Sequence, residues 1–281
     1  DINGDGLPDI VLANSGDERG ESWGFRLHRE SYVYWGSPDG YDASRRASIP
    51  TISAADVAMG DFNGDGFVDI YVGGYEDWGK GITWPFQVLI NEKGKSFRLA
   101  RSTSQTRARG GTACDFDQDG DLDVYVSSYR LQPNLLWAND GKATFTESAK
   151  KFGVVATSAG FGGGHSIGAV WGDFNNDGLI DLFAGNFAHA GQPQSQFLRN
   201  LGPAKGYKFE NRGTSGVTYQ ESYGSLALGD YDNDGDLDLF FTTVYGGNAA
   251  RLYRNDGDWK FTDVTDAEGI PRLGTTYQAA W

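Results

Sequence analysis

Apolar residues along this chain come in short β-branched and aromatic runs bounded by glycine, asparagine and aspartate, the pattern of strands and turns. Runs such as DIYVGG (69–74), DVYVSS (123–128) and DLFFTT (238–243) each follow an acidic stretch, and a small-residue strand precedes that stretch, as in ADVAMGD (55–61), GTACD (111–115), IGAVWGD (167–173) and GSLALGD (224–230). After a variable connection comes a third run, FQVLIN (86–91), NLLWAN (134–139), QFLRN (196–200) or RLYRN (251–255). A turn such as Asn139-Asp140-Gly141 or Asn255-Asp256-Gly257 then leads to a fourth, TFTES (144–148) or KFTDV (260–264). Four strand-like pieces in each period of about 55 residues predict an all-β fold of four-stranded antiparallel propeller blades. Residues 1–281 are expected to form a single propeller domain.

The acidic stretch is one nonapeptide, Asp-x-Asx-x-Asp-Gly-x-x-Asp, repeated five times with starts at Asp1, Asp61, Asp115, Asp173 and Asp230, so the spacings are 60, 54, 58 and 57 residues. The pattern suits calcium, a hard cation that takes six to eight oxygen ligands, with position 6 as glycine for the sharp turn and position 7 offering its backbone carbonyl. The candidate ligands are Asp1, Asn3, Asp5, Leu7 and Asp9 in the first loop and Asp61, Asn63, Asp65, Phe67 and Asp69 in the second. They are Asp115, Asp117, Asp119, Asp121 and Asp123 in the third, and Asp173, Asn175, Asp177, Leu179 and Asp181 in the fourth. The fifth supplies Asp230, Asp232, Asp234, Asp236 and Asp238. Up to five Ca²⁺ are expected. An EF-hand needs a bidentate Glu at position 12 and a helix; position 12 here is Leu12, Val72, Val126, Ala184 or Phe241, and each loop runs into a strand. Asp, Asn and Gly are also turn formers that need no metal. Carboxylates at positions 1, 5 and 9 in every copy, however, repel one another unless a cation neutralises them.

The stretches GDFNGDGFVDIYVGG, CDFDQDGDLDVYV and RLYRNDGDWKFTDVTDAEGI resemble the FG-GAP or VCBS-type repeats of integrin α-subunit propellers, bacterial secreted proteins and the cartilage acidic protein family. The resemblance covers essentially the whole chain and implies a radial propeller with calcium in the loop joining the first two strands of a blade. The segment TTYQAAW (275–281) is similar to the pre-loop strands and is expected to pair beside residues 9–13, closing a five-bladed ring. An excerpt of a larger propeller fits the same repeats.

The net charge of −14 is largely local, because half of the 38 acidic residues lie in the five loops, and five Ca²⁺ would bring it to about −4. With no basic stripe to meet phosphates, nucleic acid is an improbable partner. There is no transmembrane run. Cys114 excludes an internal disulfide and is expected in a strand core. Calcium sites of this kind suit the millimolar calcium outside cells, which points to an extracellular or cell-surface protein.

The variable connections, residues 13–31, 75–85, 128–133, 185–195 and 243–250, are where binding is carried on a regular scaffold. They hold Trp23, Trp78, Trp84, Tyr129, Arg130, Phe187, His189 and Tyr245, aromatic and cationic groups that suit a glycan or an extracellular protein. Trp171 reads as core, and the three scattered histidines, His28, His165 and also His189, have an ordinary structural role as their simpler reading, since no histidine pair has metal spacing. The leading expectation is therefore a non-catalytic binding or adhesion module. A structural subunit of a surface layer or fibre, assembling through its chain ends, is the alternative. A polysaccharide lyase or dehydratase, which needs a base near the loop face with His189 and Lys80 or Arg130 as the candidates, is the third.

Overall fold

The computed structural model describes residues 1–14, 28–74, 84–218, 226–243, 248–272, 274, 276 and 279; the side chains of 28, 29, 84 and 101–106 lie outside the description. Strands β1 (Ile10–Leu12), β2 (His28–Tyr34) and β3 (Arg46–Ile52) form a three-stranded sheet. The next sheet consists of β4 (Ala54–Gly60), β5 (Asp69–Gly74), β6 (Trp84–Asn91) and β7 (Phe97–Thr106). The third contains β8 (Ala108–Cys114), β9 (Asp123–Ser128), β10 (Leu135–Ala138) and β11 (Thr146–Glu147), followed by the short helix α1 (Ala149–Phe152). The fourth has β12 (Ser166–Gly172), β13 (Asp181–Asn186), β14 (Gln196–Asn200) and β15 (Phe209–Gly213). The last has β16 (Leu226–Gly229), β17 (Asp238–Phe241), β18 (Arg251–Asn255) and β19 (Phe261–Asp263).

In every sheet, strands adjacent in sequence are adjacent in space, the meander of a propeller blade. The described part of the first sheet has three strands. Thr276 bridges Thr243, just beyond β17, and the rest of the segment expected to close the ring beside residues 9–13, apart from 279, lies outside the described residues.

The chain divides into two compact units, residues 1–115, 119–124 and 137–146, and residues 116–118, 125–136 and 147–281. In the first, Ile2, Val33, Ile49, Ile70, Val72 and Leu89 form one buried cluster. In the second, Phe116, Tyr125, Leu136, Phe152, Leu182 and Leu198 form one, and Phe174, Phe183, Phe197, Phe241, Tyr253 and Phe261 another. Every residue of β5, β9 and β13 is buried, which is why these strands read as unbroken apolar runs and not as alternating ones. Position 2 of the acidic loop is buried in the first four copies, Ile2, Phe62, Phe116 and Phe174, and pins the loop to the core, whereas Tyr231 of the fifth is half-buried.

Outside the acidic loops, the side chain of Asp56 also points inward. Asp56 follows a register shift in β4; the residue is half-buried, but its Oδ2 is sealed from solvent with no hydrogen-bond partner. Two glycines make room for it, since a Cβ on Gly111 would lie 2.3 Å from Oδ2 and one on Gly73 3.1 Å away. Burial raises its pKa to about 6, against the lowering pull of hydrogen bonds from the Gly111 and Val57 backbones. The unfolded carboxyl ionises near the ordinary value of 3.8, so between about pH 4 and 6 the native state binds more protons than the unfolded state, and stability falls as pH rises. The penalty, on the order of 3 kcal/mol, is complete above about pH 6 and absent below about pH 4. Asp56→Asn is expected to raise the melting temperature at pH 8 and leave it nearly unchanged at pH 4. Equal shifts at both pH values would remove the charge from the explanation.

Candidate functional site

The five acidic loops share one hydrogen-bond scheme. The position-1 carboxylate folds over its loop and accepts backbone N–H groups: Asp1 from Gly4 (2.7 Å), Asp5 (3.0 Å) and Gly6 (2.7 Å), Asp61 from Gly64, Asp65 and Gly66, and Asp173 from Asp177 and Gly178. Asp115 and Asp230 do the same for positions 5 and 6. The turn requires a left-handed residue at position 6, and Gly6, Gly66, Gly120, Gly178 and Gly235 have φ of 85°, 89°, 94°, 83° and 95°. The position-5 carboxylate accepts the N–H of position 7 in each copy. Where position 3 is asparagine, its amide donates to that carboxylate, Asn3 to Asp5 at 3.0 Å, Asn63 to Asp65 at 3.1 Å and Asn175 to Asp177 at 2.9 Å.

Position 9 opens the second strand and is buried in loops 2 to 5. Asp69 accepts the N–H of Phe62 and of Asn91, Asp181 those of Phe174 and Asn200, and Asp238 those of Tyr231 and Asn255. Burial raises Asp69 to about 6 and Asp181 to about 7, with neighbouring loop carboxylates adding to the rise and the backbone hydrogen bonds opposing it. Asp238, Asp121 and Asp236 are also raised, burial first and like charges after it. These are the signs of negative charge crowded into a small volume.

In the third loop Asp115, Asp117 and Asp123, and in the fifth Asp230, Asp232 and Asp238, each bring one carboxylate oxygen to within 4.8 Å of the others. Oxygens bound to one ion at roughly 2.3–2.6 Å cannot be further apart than about 5 Å. The all-oxygen donor set and its spacing therefore fit a hard divalent cation. Among the described residues only these two loops gather three carboxylates, and they are the loops with aspartate at position 3.

At the other end of the strands, the connections after β9 and β13 meet. Tyr129, Phe187 and His189 surround His165, with ring centroids 5.0, 6.1 and 6.3 Å from the imidazole, and Phe187 and His189 are 4.5 Å apart. His189 is exposed and the other three are half-buried, so the cluster is reached from solvent. Arg130, in a left-handed conformation (φ 60°), acts on the same imidazole. Of the sequence-predicted ligand residues, the structure thus gathers Tyr129, Arg130, Phe187 and His189. Trp23, Trp78 and Tyr245 lie outside the described residues, and so does the side chain of Trp84, which begins β6. His165, read from sequence as structural, is the centre of the group; no spacing signal marks it. Trp171 packs against the core, its ring 6.2 Å from Phe116 and 5.9 Å from Tyr125. The Cys114 thiol is pushed up to about 12 by burial and by Asp115 and Asp123, which leaves it a poor nucleophile.

The FG-GAP-like repeat profile matches residues 1–72, 115–184 and 230–281, each stretch beginning on an acidic loop. The chain belongs to the FG-GAP-like repeat family. No curated protein matches its sequence. Among solved structures, it is similar to an Agrocybe aegerita lectin that recognises non-reducing terminal N-acetylglucosamine, at 19% identity over 93% of this chain and 63% of the lectin, with a TM-score of 0.49. The V. cholerae biofilm matrix protein Bap1 is similar at 12% identity over 91% of this chain and 38% of Bap1, TM-score 0.43. A Bacteroides thetaiotaomicron protein provisionally assigned as a phosphatase follows at 12% over 96% and 70%, TM-score 0.45. The chain spans less than two thirds of the length of the first two.

In this FG-GAP-like chain the repeats are joined by a residue that sequence reading took for a turn former. The asparagine that ends the third strand, or directly follows it in the case of Asn139, is buried, and its side-chain amide donates to the position-2 carbonyl of the preceding repeat's loop. Asn91 reaches Ile2 (2.7 Å), Asn139 reaches Phe62 (2.9 Å), Asn200 reaches Phe116 (2.9 Å) and Asn255 reaches Phe174 (3.0 Å). The same amide donates to the position-8 carbonyl of its own loop, Val68, Leu122, Ile180 or Leu237. Asn recurs at the end of FQVLIN, NLLWAN, QFLRN and RLYRN, but the recurrence alone does not show which repeat it serves.

Proposed function

We propose that this chain is an extracellular calcium-binding propeller that serves as a non-catalytic binding or adhesion module for a glycan. The observation that carries the reading is the convergence of Tyr129, Phe187 and His189 on His165 at the end of the blades away from the acidic loops. Aromatic faces beside polar tips stack on sugar rings at small entropic cost. The metal assignment is supported by the oxygen-only donors and their spacing, and calcium suits irregular, carboxylate-rich loops better than magnesium, which demands a tight octahedron and keeps its waters. Asp115, Asp117 and Asp123, and Asp230, Asp232 and Asp238, would hold the ion; its part is to neutralise the loops and fix the hairpins that carry the blades. Sites of this charge filled at millimolar calcium support a location outside the cell. Among the described residues no helix is long and apolar enough to cross a membrane.

The test is a glycan array probed in calcium with the protein, Tyr129→Ala and Phe187→Ala. Binding by the parent chain that falls at least tenfold in both variants, with melting temperatures kept, is the expected result. Polysaccharide cleavage that depends on His189, or an array blank at all concentrations, would overturn the reading.

A further inference from the structure

We infer that the cluster around His165 selects the carboxylate of an acidic sugar and holds it more tightly as pH falls, an inference that rests on the glycan-binding reading above. Three groups able to carry positive charge, Arg130, His165 and His189, meet at one solvent-reached spot of a chain whose net charge is −14. Burial lowers the pKa of His165 first, then His189 and then Arg130, each acting against its proton. Among the described residues, the titratable and charged groups facing it are Tyr129 and Arg130 from the connection after β9 and His189 from the connection after β13, and no carboxylate of those residues is among the charges that act on it. Its Nδ1 is sealed without a hydrogen-bond partner. A neutral sugar gains nothing from this arrangement. A carboxylate reverses its sign, because the anion compensates the two cationic neighbours and makes protonation of His165 favourable.

The surroundings suit a saccharide rather than a bare ion. The His189 backbone is tied to Gln192, its N–H donating to the side-chain Oε1 of Gln192 at 3.0 Å and its carbonyl accepting from the Gln192 backbone N–H at 3.0 Å. Gln192 in turn lines a pocket of about 430 Å³ with Ser158, Gln194, Asn211 and Thr214, and none of its described lining residues has an ionisable side chain. That volume lies in the range of small-ligand pockets, and amides with hydroxyls are the partners that sugar hydroxyls need. A neutral pocket beside a cationic, aromatic patch describes an oligosaccharide with an acidic unit at the His165 end.

The probe is a galacturonic acid trimer, compared with its methyl ester and with sulfated galactose, at fixed calcium and between pH 7.5 and 5. The acid is expected to bind at least tenfold tighter than the ester and to gain about tenfold as pH falls through the histidine range, the gain that a one-unit upward shift of His165 on binding produces. The ester's affinity should stay flat. Arg130→Asn, which keeps a residue tolerant of the left-handed backbone, and His189→Gln should each remove most of the acid's advantage without changing the melting temperature. NMR titration of His165 with and without the trimer reads the shift directly. Equal binding of acid and ester, or tight binding of sulfated galactose with no binding of the acid, overturns this inference and leaves the glycan-binding reading standing. A neutral-glycan array that is also blank sinks both.

Discussion

Chelating divalent cations is expected to lower the melting temperature of this protein by about 10 °C or more, and added calcium is expected to restore it. The loops hold carboxylates that burial and mutual repulsion have pushed up to about 6 and 7, so the metal-free fold bears a charge penalty that an ion removes. An ion that binds only the folded chain stabilises it by about 2.7 kcal/mol at one hundred times its Kd. At about 2–4 °C per kcal/mol for a chain of 150–250 residues, one site accounts for roughly 5–10 °C. Loops 3 and 5, each with a three-carboxylate group, should fill first, because affinity follows ligand charge. Asp119→Ala is expected to remove much of the calcium-dependent gain, whereas Asp39→Ala, on an exposed turn, should leave it unchanged. Superimposable melting curves with and without chelator would show that the loops are stable turns without metal.

Asn200→Ala is expected to cost about 4 kcal/mol in urea unfolding. Asn200 is fully buried, its amide donates to the carbonyls of Phe116 at 2.9 Å and Ile180 at 3.1 Å, and its Oδ1 accepts the N–H of Gly202 at 3.0 Å. Truncation leaves those backbone groups unpaired, and each buried orphan costs about 1–3 kcal/mol. Asn200→Asp should be at least as damaging, because it sets a carboxylate oxygen against two carbonyls. A loss below about 1 kcal/mol for Asn200→Ala would mean that the link between neighbouring repeats contributes little.

The strands and loops were legible in the sequence because they are local. The run DVYVSS is β9 residue for residue, IGAVWGD covers all but the first residue of β12, and glycine at position 6 takes the left-handed turn in every copy. The asparagine links were not legible, although their residues stood in plain view. Asn91 and Ile2 are 89 positions apart, and Asn255 and Phe174 are 81 apart, so the chain looks the same whether that asparagine serves its own turn or another repeat. The cluster at His165 was half legible. Tyr129, Arg130, Phe187 and His189 stand out as aromatic and basic residues in variable connections, but His165 enters from the start of a core strand, where composition points to packing. Asp56 is a similar case, since nothing in ADVAMGD tells which way its carboxyl points.

The joint between repeats is read on one side by a side chain and on the other by a bare carbonyl. The asparagine must therefore be kept, while position 2 has only to be apolar, and Ile2, Phe62, Phe116 and Phe174 all serve. Nothing in the joint depends on the length of the connections, which differ from one repeat to the next. A gene duplication that copies one whole period arrives carrying both halves of the fastening, and each new neighbour already presents the matching half. Such a lineage can lengthen or shorten its array by a single recombination event, and the connections between strands are free to diverge afterwards.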